Sequence, residues 1–399
     1  MQWRLFPIMK KYAALLLILL LFAALLTGCS SQNAPAPTAA PTQAPTAAPT
    51  SAPTAVPAPT AEPAPQMQKF SAVYMDSFDT VISLIGFAKD EATFNAHSDL
   101  VHQTYIRMHK LFDTYNSYED EGIVSIYTLN EKAAQAPVKV DPVTFDLLRL
   151  CKEKYEMTHG QVNIALGSVL SIWHNYREAG LNAPESAALP PMEELQAAMA
   201  YTDLNDLVLD EENMTVFFAD PNLKLDVGAV AKGYATELIG QMLLESEMTS
   251  FIISAGGNVR LGNPPLDGRK GWGVGIQDPD GAVLGLSDIV ETLFIANTSV
   301  VTSGDYQRFY TVDGVNYHHL IDPDTLMPGT YYRAVSIITE DSGLADMLST
   351  AAFLMPYEES REFVESLDGV EAIWIFPDGK KTMTDGAAKI AKSRGATNN

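Results

Sequence analysis

Leu225-Asp226-Val227-Gly228-Ala229-Val230-Ala231-Lys232-Gly233-Tyr234-Ala235 carries a short apolar strand into an acid, a glycine-permitted turn and the opening of a helix that holds a lysine. Free amides at a helix start attract anions, and a glycine lets a ligand come close to backbone. The segment reads as a phosphate or nucleotide site, or as a plain strand-to-helix turn. It is not a Walker loop, because Gly228 and Lys232 lack the required glycine spacing and no Ser or Thr follows the lysine. Upstream, residues 207–218 read as a hairpin turning at 211–213, and residues 223–226 as the strand that feeds a helix over 229–246.

The pattern continues outward in both directions. Residues 70–85 read as a strand and 90–115 as a helix, with Leu100, Tyr105, Met108, Leu111 and Phe112 near helical spacing. A second helix over 142–159 starts with Asp141 as cap and Pro142 at its first position, and Gly160 stops it. Strands follow at 251–254, 271–277, 289–296, 307–312 and 334–339, and helices at 343–355 and 357–366. Runs of strands interrupted by single helices predict an α+β fold of mixed sheets with packed helices rather than a regular parallel alternation. No repeat at solenoid spacing is present.

Three further segments carry chemistry. In Gly343-Leu344-Ala345-Asp346-Met347-Leu348-Ser349-Thr350, Asp346 and Thr350 lie four apart, so their oxygens share one helix face. A carboxylate with a hydroxyl suits a hard divalent cation; the same spacing also serves a helix whose acid merely complements the dipole. In Tyr317-His318-His319-Leu320-Ile321-Asp322-Pro323, neighbouring histidines on a strand point to opposite faces and do not ligate one metal together. One of them is a candidate proton-transfer group, the alternative being a hydrogen-bonded structural residue. Ser254-Ala255-Gly256-Gly257-Asn258-Val259 and Thr302-Ser303-Gly304-Asp305-Tyr306 each read as a tight turn after a strand.

The N-terminal 66 residues have a different character. Arg4, Lys10 and Lys11 precede an unbroken apolar run over residues 13–26, the layout of a signal peptide. A spanning helix needs about 20 apolar residues, so this run is short for a permanent one. Leu26-Thr27-Gly28-Cys29 resembles a bacterial lipobox, which implies a lipid on Cys29 and attachment to the outer face of the cell membrane. Residues 30–66 are almost wholly Ala, Pro and Thr, with Pro37, Pro41, Pro45, Pro49, Pro53 and Pro57 recurring every four residues. Such a segment buries no core, and at about 3.1 Å per residue it extends to roughly 110 Å. It reads as a stalk.

The expected organisation is a signal peptide over 1–28, an anchor and linker over 29–66, a catalytic domain over 67–390 and a disordered tail over 391–399. With Cys29 lipidated, Cys151 has no partner and the fold rests on its own core. Removing residues 1–28 takes three of 26 basic residues and none of the 49 acids, moving the net charge from −23 to −26. That excludes nucleic acid as a partner of the surface at large, and any phosphate ligand must be held by a local site or a metal.

Taken together, Gly160-Gln161-Val162-Asn163-Ile164-Ala165-Leu166-Gly167, the 226–234 turn, the two glycine-rich pieces, the 319–323 segment and the 345–350 segment resemble the ApbE family of FAD:protein FMN transferases over about residues 75–386. The resemblance implies two intimately joined halves enclosing a cleft for FAD and magnesium. It implies transfer of FMN, through its phosphate, from FAD to a Thr or Ser hydroxyl of an acceptor flavoprotein, with release of AMP. Carried over by motif, Mg2+ falls to the Ala229 carbonyl and the side chains of Asp346 and Thr350. FAD contacts fall to Met75, Tyr115, Gln161, Val162, Asn163, Asp226, Lys232 and the Leu320 backbone, and His319 matches the base that deprotonates the acceptor hydroxyl. This chain departs from the family at Met75-Asp76-Ser77, where Met-Gly-Thr is common, and at Ala229, where a second glycine is typical; a carbonyl ligand tolerates the latter. The alternatives are an FAD pyrophosphatase giving FMN and AMP, and a flavin-binding lipoprotein without turnover.

Overall fold

The structure, a computed structural model, describes residues 66–283 and 288–398. The signal-peptide segment, Cys29 and almost all of the stalk lie outside the described residues. From Ala64 onward the chain forms one compact unit, built on an antiparallel sheet of eight strands among the described residues. Their order is Gln68–Ser77, Thr80–Ala88, Phe251–Ala255, Asn258–Leu261, Ser299–Gly304, Ala334–Thr339, Glu371–Ile375 and Lys381–Met383. The α+β expectation holds, and one sheet runs through both ends of the domain.

Both faces of this sheet are covered. The helices Ala231–Leu244 and Ser342–Leu354 pack on one face, with Val301, Val335 and Ile337 pointing into their core. On the other face the hairpin Trp272–Gln277 with Ile289–Ile295 and the helix Asp385–Ile390 bury Val300, Ile338 and Ile373. The strand Ala334–Thr339 is consequently buried at all six positions, including Ser336 and Thr339, with no alternation of buried and exposed residues. A third cluster joins Leu166, Val169 and Trp173 to Tyr310, Ile321 and Leu326 beside the sheet.

Two polar contacts clamp the helix pair to the sheet. Arg260 Nε donates to Glu237 Oε2 at 2.9 Å, with both side chains buried, and the Ser342 amide donates to the same oxygen at 2.8 Å. Gly233 allows the two helices to close: a Cβ there would sit 2.4 Å from the Ser342 carbonyl oxygen and 2.5 Å from Asp346 Cβ.

Several local readings change. Residues 70–85 form two strands, because Phe78 and Asp79 turn the chain with φ of 54° and 50°. Such turns are usually signalled by Asn-Gly or Asp-Gly. Here Phe78 is held instead by the Tyr105 and His109 rings, and its amide donates to His109 Nδ1. The strand expected over 223–226 is a single parallel bridge between Leu166 and Lys224, and the following helix begins at Ala231. The helix Gly167–Asn182 and the strands Asn258–Leu261, Ser299–Gly304, Val315–His318, Glu371–Ile375 and Lys381–Met383 add to the expected elements. The helix Pro142–Lys154 gives way to a 3-10 turn, and Asp141 caps it as expected.

The C-terminal tail is not disordered across residues 391–398. Ser393 donates twice to the buried Glu291 carboxylate; burial pushes its pKa up, but the hydrogen bonds from Lys381, Ser393 and Thr292 together outweigh that and hold it at about 2. Asn398 Oδ1 accepts from the Gly271 amide at 2.9 Å. No helix among the described residues is long and apolar enough to cross a membrane.

Gly233→Ala is expected to destabilise the protein by about 2 kcal/mol, because overpacking outweighs alanine's better helix propensity of roughly 1 kcal/mol. Gly228→Ala, whose Cβ would meet only Asp226 Oδ1 at 3.0 Å, is the control. Urea unfolding of the two variants checks this, and equal stabilities would remove the close-approach account.

Candidate active site

Asp346 projects from the second turn of the Ser342–Leu354 helix, whose start is capped by Asp341 accepting from the Leu344 amide. Its Oδ2 accepts the Gly233 amide at 2.7 Å, and its Oδ1 lies 3.9 Å from Lys232 Nζ. Lys232 in turn donates to Asn258 Oδ1, which is fully buried on the neighbouring strand. Burial pushes the Asp346 carboxyl up from its usual range, and Lys232 and the Gly233 amide oppose that shift. Burial likewise pushes Lys232 down, with Asp346 opposing. A buried carboxylate of this kind gains from an added cation.

Gly233 is the third residue of its helix, after the N-cap Val230, so its amide is one of the free donors of a helix start, and Asp346 satisfies it from the neighbouring helix. Ala229 lies just outside that helix, and no hydrogen bond reaches its carbonyl among the described residues. Thr350 lies one turn beyond Asp346, 93% buried, and its hydroxyl meets only Ser303 Oγ, at 3.3 Å. A carboxylate oxygen, a free carbonyl and a hydroxyl are hard donors suited to magnesium, which keeps waters or phosphate oxygens in its remaining positions. Among the described residues no group of three His, Cys, Asp or Glu side chains stands ready to hold a metal, so any cation here relies on this mixed set.

Beside this cluster, the Tyr115 hydroxyl donates to Asp226 Oδ2 at 3.3 Å, and Asp226 Oδ1 accepts the Gly228 amide at 2.8 Å. The Tyr115 ring, 43% exposed, stacks on His174 at 3.8 Å and 13°. Arg177 Nη2 lies 3.0 Å from His174 Nδ1. Gln161 donates to Asp324 at 3.3 Å, and its own Oε1 is buried without a partner. Gln161 and Asn163 line a cavity of about 610 Å³ with Lys152, Tyr155, His159 and Asp324. The Asn163 amide group is already engaged, donating to the Thr202 carbonyl and accepting from Ala165, and the Val162 side chain packs in the core. These two residues therefore offer a ligand backbone rather than free side-chain groups. Met75 is 61% exposed at the end of the edge strand.

His318 and His319 divide the two roles open to them. His318 is buried, with Nε2 donating to the Gly329 carbonyl at 2.7 Å and Nδ1 accepting the Leu320 amide at 3.2 Å. It is the structural one. The Leu320 carbonyl accepts from Gly329, so both backbone groups of Leu320 already have internal partners. His319 Nδ1 is buried with no partner. Burial first, then the charges of Arg308, His318 and Arg177, hold His319 well below the ordinary histidine range. A neutral imidazole with one unpartnered nitrogen is a proton acceptor in waiting.

Arg308 ties these parts together and is absent from the sequence-based set. It donates to the Phe78 carbonyl at 3.2 Å, and its charge acts on Asp346, Lys232, Tyr115 and His319. Arg177, His174, Asn258, Ser303 and Ser349 were missed as well. Asn258 and Ser303 sit inside the glycine-rich pieces, where turn chemistry masked them; Arg308 follows the second piece by two residues.

Hard oxygen donors set against a half-buried lysine, a neutral imidazole and two arginines define a class: an enzyme that handles phosphate esters on a mixed α/β fold. The ApbE family profile matches residues 78–374, and the chain belongs to that family. It is 35% identical over 275 residues to the FAD:protein FMN transferase of Treponema pallidum (strain Nichols), covering 66% of this chain and 73% of that protein. With the FAD:protein FMN transferase of Klebsiella pneumoniae (strain 342) it shares 28% over 273 residues, 67% of this chain and 81% of the other. The crystal structure of the ApbE protein from Thermotoga maritima superimposes with a TM-score of 0.70 at 26% identity, covering 81% of this chain and 99% of that one. The flavin transferase ApbE from Vibrio cholerae has the same fold, with a TM-score of 0.66 at 22% identity, over 82% and 100% of the two chains.

The depressed pKa of His319 predicts the direction of a stability change. Between its lowered folded value and the ordinary value of about 6.5, the unfolded chain binds a proton that the native state does not, so stability falls as pH drops through this window. His319→Gln is expected to lose less stability than the unaltered protein between about pH 7.5 and 5.5, measured by urea midpoints. An equal loss would mean His319 is not held neutral.

Proposed function

We infer that this protein is an FAD:protein FMN transferase: it moves FMN, through its phosphate, from FAD to a Thr or Ser hydroxyl of an acceptor protein and releases AMP. The observation that carries this reading is the neutral His319, with its buried, unpartnered Nδ1, in the field of Arg308, whose charge also acts on Asp346 and Lys232.

Asp346, Thr350 and the Ala229 carbonyl would hold Mg2+, which supplies charge neutralisation at the pyrophosphate when bound. The neutral His319 imidazole takes the proton of the acceptor hydroxyl as its oxygen bonds to the FMN phosphorus. The phosphorus–oxygen bond to AMP breaks, and its electron pair leaves on the AMP phosphate. Lys232, Arg308 and Arg177 offset the anionic charge of the substrate. Tyr115, stacked on His174 and bonded to Asp226, offers an aromatic face to a flavin or adenine ring. The cavity lined by Gln161 and Asn163 has the size of a cofactor subsite.

Cys29 as lipid anchor, with residues 30–66 as a stalk, would hold this activity on the extracytoplasmic side of the cell membrane, within reach of acceptors displayed there. The lipobox-like Leu26-Thr27-Gly28-Cys29 and the proline period support that placement. Cys29→Ser is expected to move the protein from the membrane pellet to the soluble fraction; retention in the pellet would count against the anchor.

The activity is tested by incubating the domain with FAD, Mg2+ and an acceptor carrying the target Thr, following AMP and acceptor mass. A gain of one FMN is expected. AMP with free FMN and no gain identifies hydrolysis, and intact FAD identifies binding alone. Asp346→Ala is expected to lower the rate by two orders of magnitude or more, about 3 kcal/mol or above. His319→Ala should lower it by roughly 10²–10⁴.

A further inference from the structure

Thr350 owes its use as a cation ligand to which way its hydroxyl hydrogen points. A hydroxyl has one hydrogen and two acceptor lone pairs. The lone pairs serve a cation well only when the hydrogen is directed elsewhere. The direction is fixed by a chain of three hydroxyls on the buried side of the Ser342–Leu354 helix.

The chain ends on a carbonyl, which only accepts. Ser349 Oγ donates to the Asp346 carbonyl oxygen at 3.0 Å. Its single hydrogen is thereby used, so the 2.8 Å contact between Ser303 Oγ and Ser349 Oγ has Ser303 as donor. That uses the Ser303 hydrogen in turn. The remaining contact, Ser303 Oγ to Thr350 Oγ1 at 3.3 Å, then has Thr350 as donor. Ser303 and Ser349 are 8% and 0% exposed, so water does not compete for these hydrogens, and an unpaired hydroxyl hydrogen there would be costly.

We propose that Ser303 and Ser349 are positioning residues for the cation site, orienting the Thr350 hydroxyl as a one-way relay that runs from Thr350 through Ser303 and Ser349 to the Asp346 carbonyl. The relay turns the Thr350 hydrogen inward and leaves both lone pairs for the cation. It starts at one side-chain ligand and ends on the backbone of the other, coupling the two. The proposal rests on the reading of Asp346 and Thr350 as Mg2+ ligands.

Ser349→Ala is the discriminating variant, because the Ser349 hydroxyl makes no hydrogen bond to the Thr350 hydroxyl and acts on it only through Ser303. Without it, the Ser303 hydrogen loses its acceptor and turns to Thr350 Oγ1, reversing the polarity and occupying a lone pair. Binding of Mn2+ in the presence of ADP, read from the electron paramagnetic resonance of free Mn2+, measures the effect apart from turnover. Ser349→Ala is expected to weaken Mn2+ binding roughly tenfold, in the range of outer ligand-orienting groups, with a thermal midpoint that shows the protein folded. Ser303→Ala should weaken it similarly, and Ser303→Thr, which keeps the hydroxyl, should restore it. Should Ser349→Ala not fold, Ser303→Ala and its Thr counterpart give the same readout from the strand. Affinity within twofold of the unaltered protein in the folded alanine variants would overturn the relay alone. An unaltered protein that does not bind Mn2+, or an Asp346→Ala variant that binds it as well, would overturn the metal reading itself.

Discussion

The hydrogen bond from the Gly233 amide to the Asp346 carboxylate is the contact on which the site depends. It requires two helices to approach until no Cβ fits between them. The approach is enforced from the side by Glu237, which receives both Arg260 and the Ser342 amide and so ties the start of one helix to the middle of the other and to the sheet. A buried ion pair is weak evidence for stability as such, but it fixes which groups face each other. Here it fixes a carboxylate against a helix start. The amide that Asp346 captures is a free donor of that helix start, so a single contact satisfies the backbone and orients a prospective ligand.

Lys232 stands next to Gly233 and answers to the same geometry. Its ammonium is drawn to Asn258 and lies near Asp346, which partly compensates a buried carboxylate that would be costly alone. Substrate phosphate and a cation would complete the compensation that the protein leaves partial. Active sites characteristically keep such incomplete charge balance, and it shifts the ionisation of Asp346 and Lys232 toward neutrality.

The (i, i+4) pair of Asp346 and Thr350 and the turn from Asp226 to Lys232 were legible in the sequence because both depend on spacing along one helix or one turn. So was the helix start at Asp141 and Pro142, where capping is local. The hairpin at Phe78 was not, because its left-handed residues are stabilised by rings from a distant helix rather than by glycine. Arg308 and Arg177 escaped for a similar reason: an exposed-looking arginine declares nothing until the fold brings it to the same imidazole. The docked residues 391–398 depend on Glu291, about a hundred positions earlier, and no local pattern announces that. Ser303 and Ser349 are the clearest case, since the direction of their hydrogen bonds follows only from the whole chain of partners.

The overall charge of −23 makes the local cations more informative. A surface with this excess of acid repels a dianionic pyrophosphate at long range, and screening at physiological ionic strength leaves about 8 Å over which local charge decides. At the site, Arg308 acts on Asp346, Lys232, Tyr115 and His319, and Arg177 on Tyr115 and His319. Burial first, then the charges of Arg308, His318 and Arg177, hold His319 deprotonated, so on the proposed reading the arginines that would draw an anionic substrate in also help keep the imidazole able to take a proton. Arg308 would serve both ends, and weakening it would affect both together.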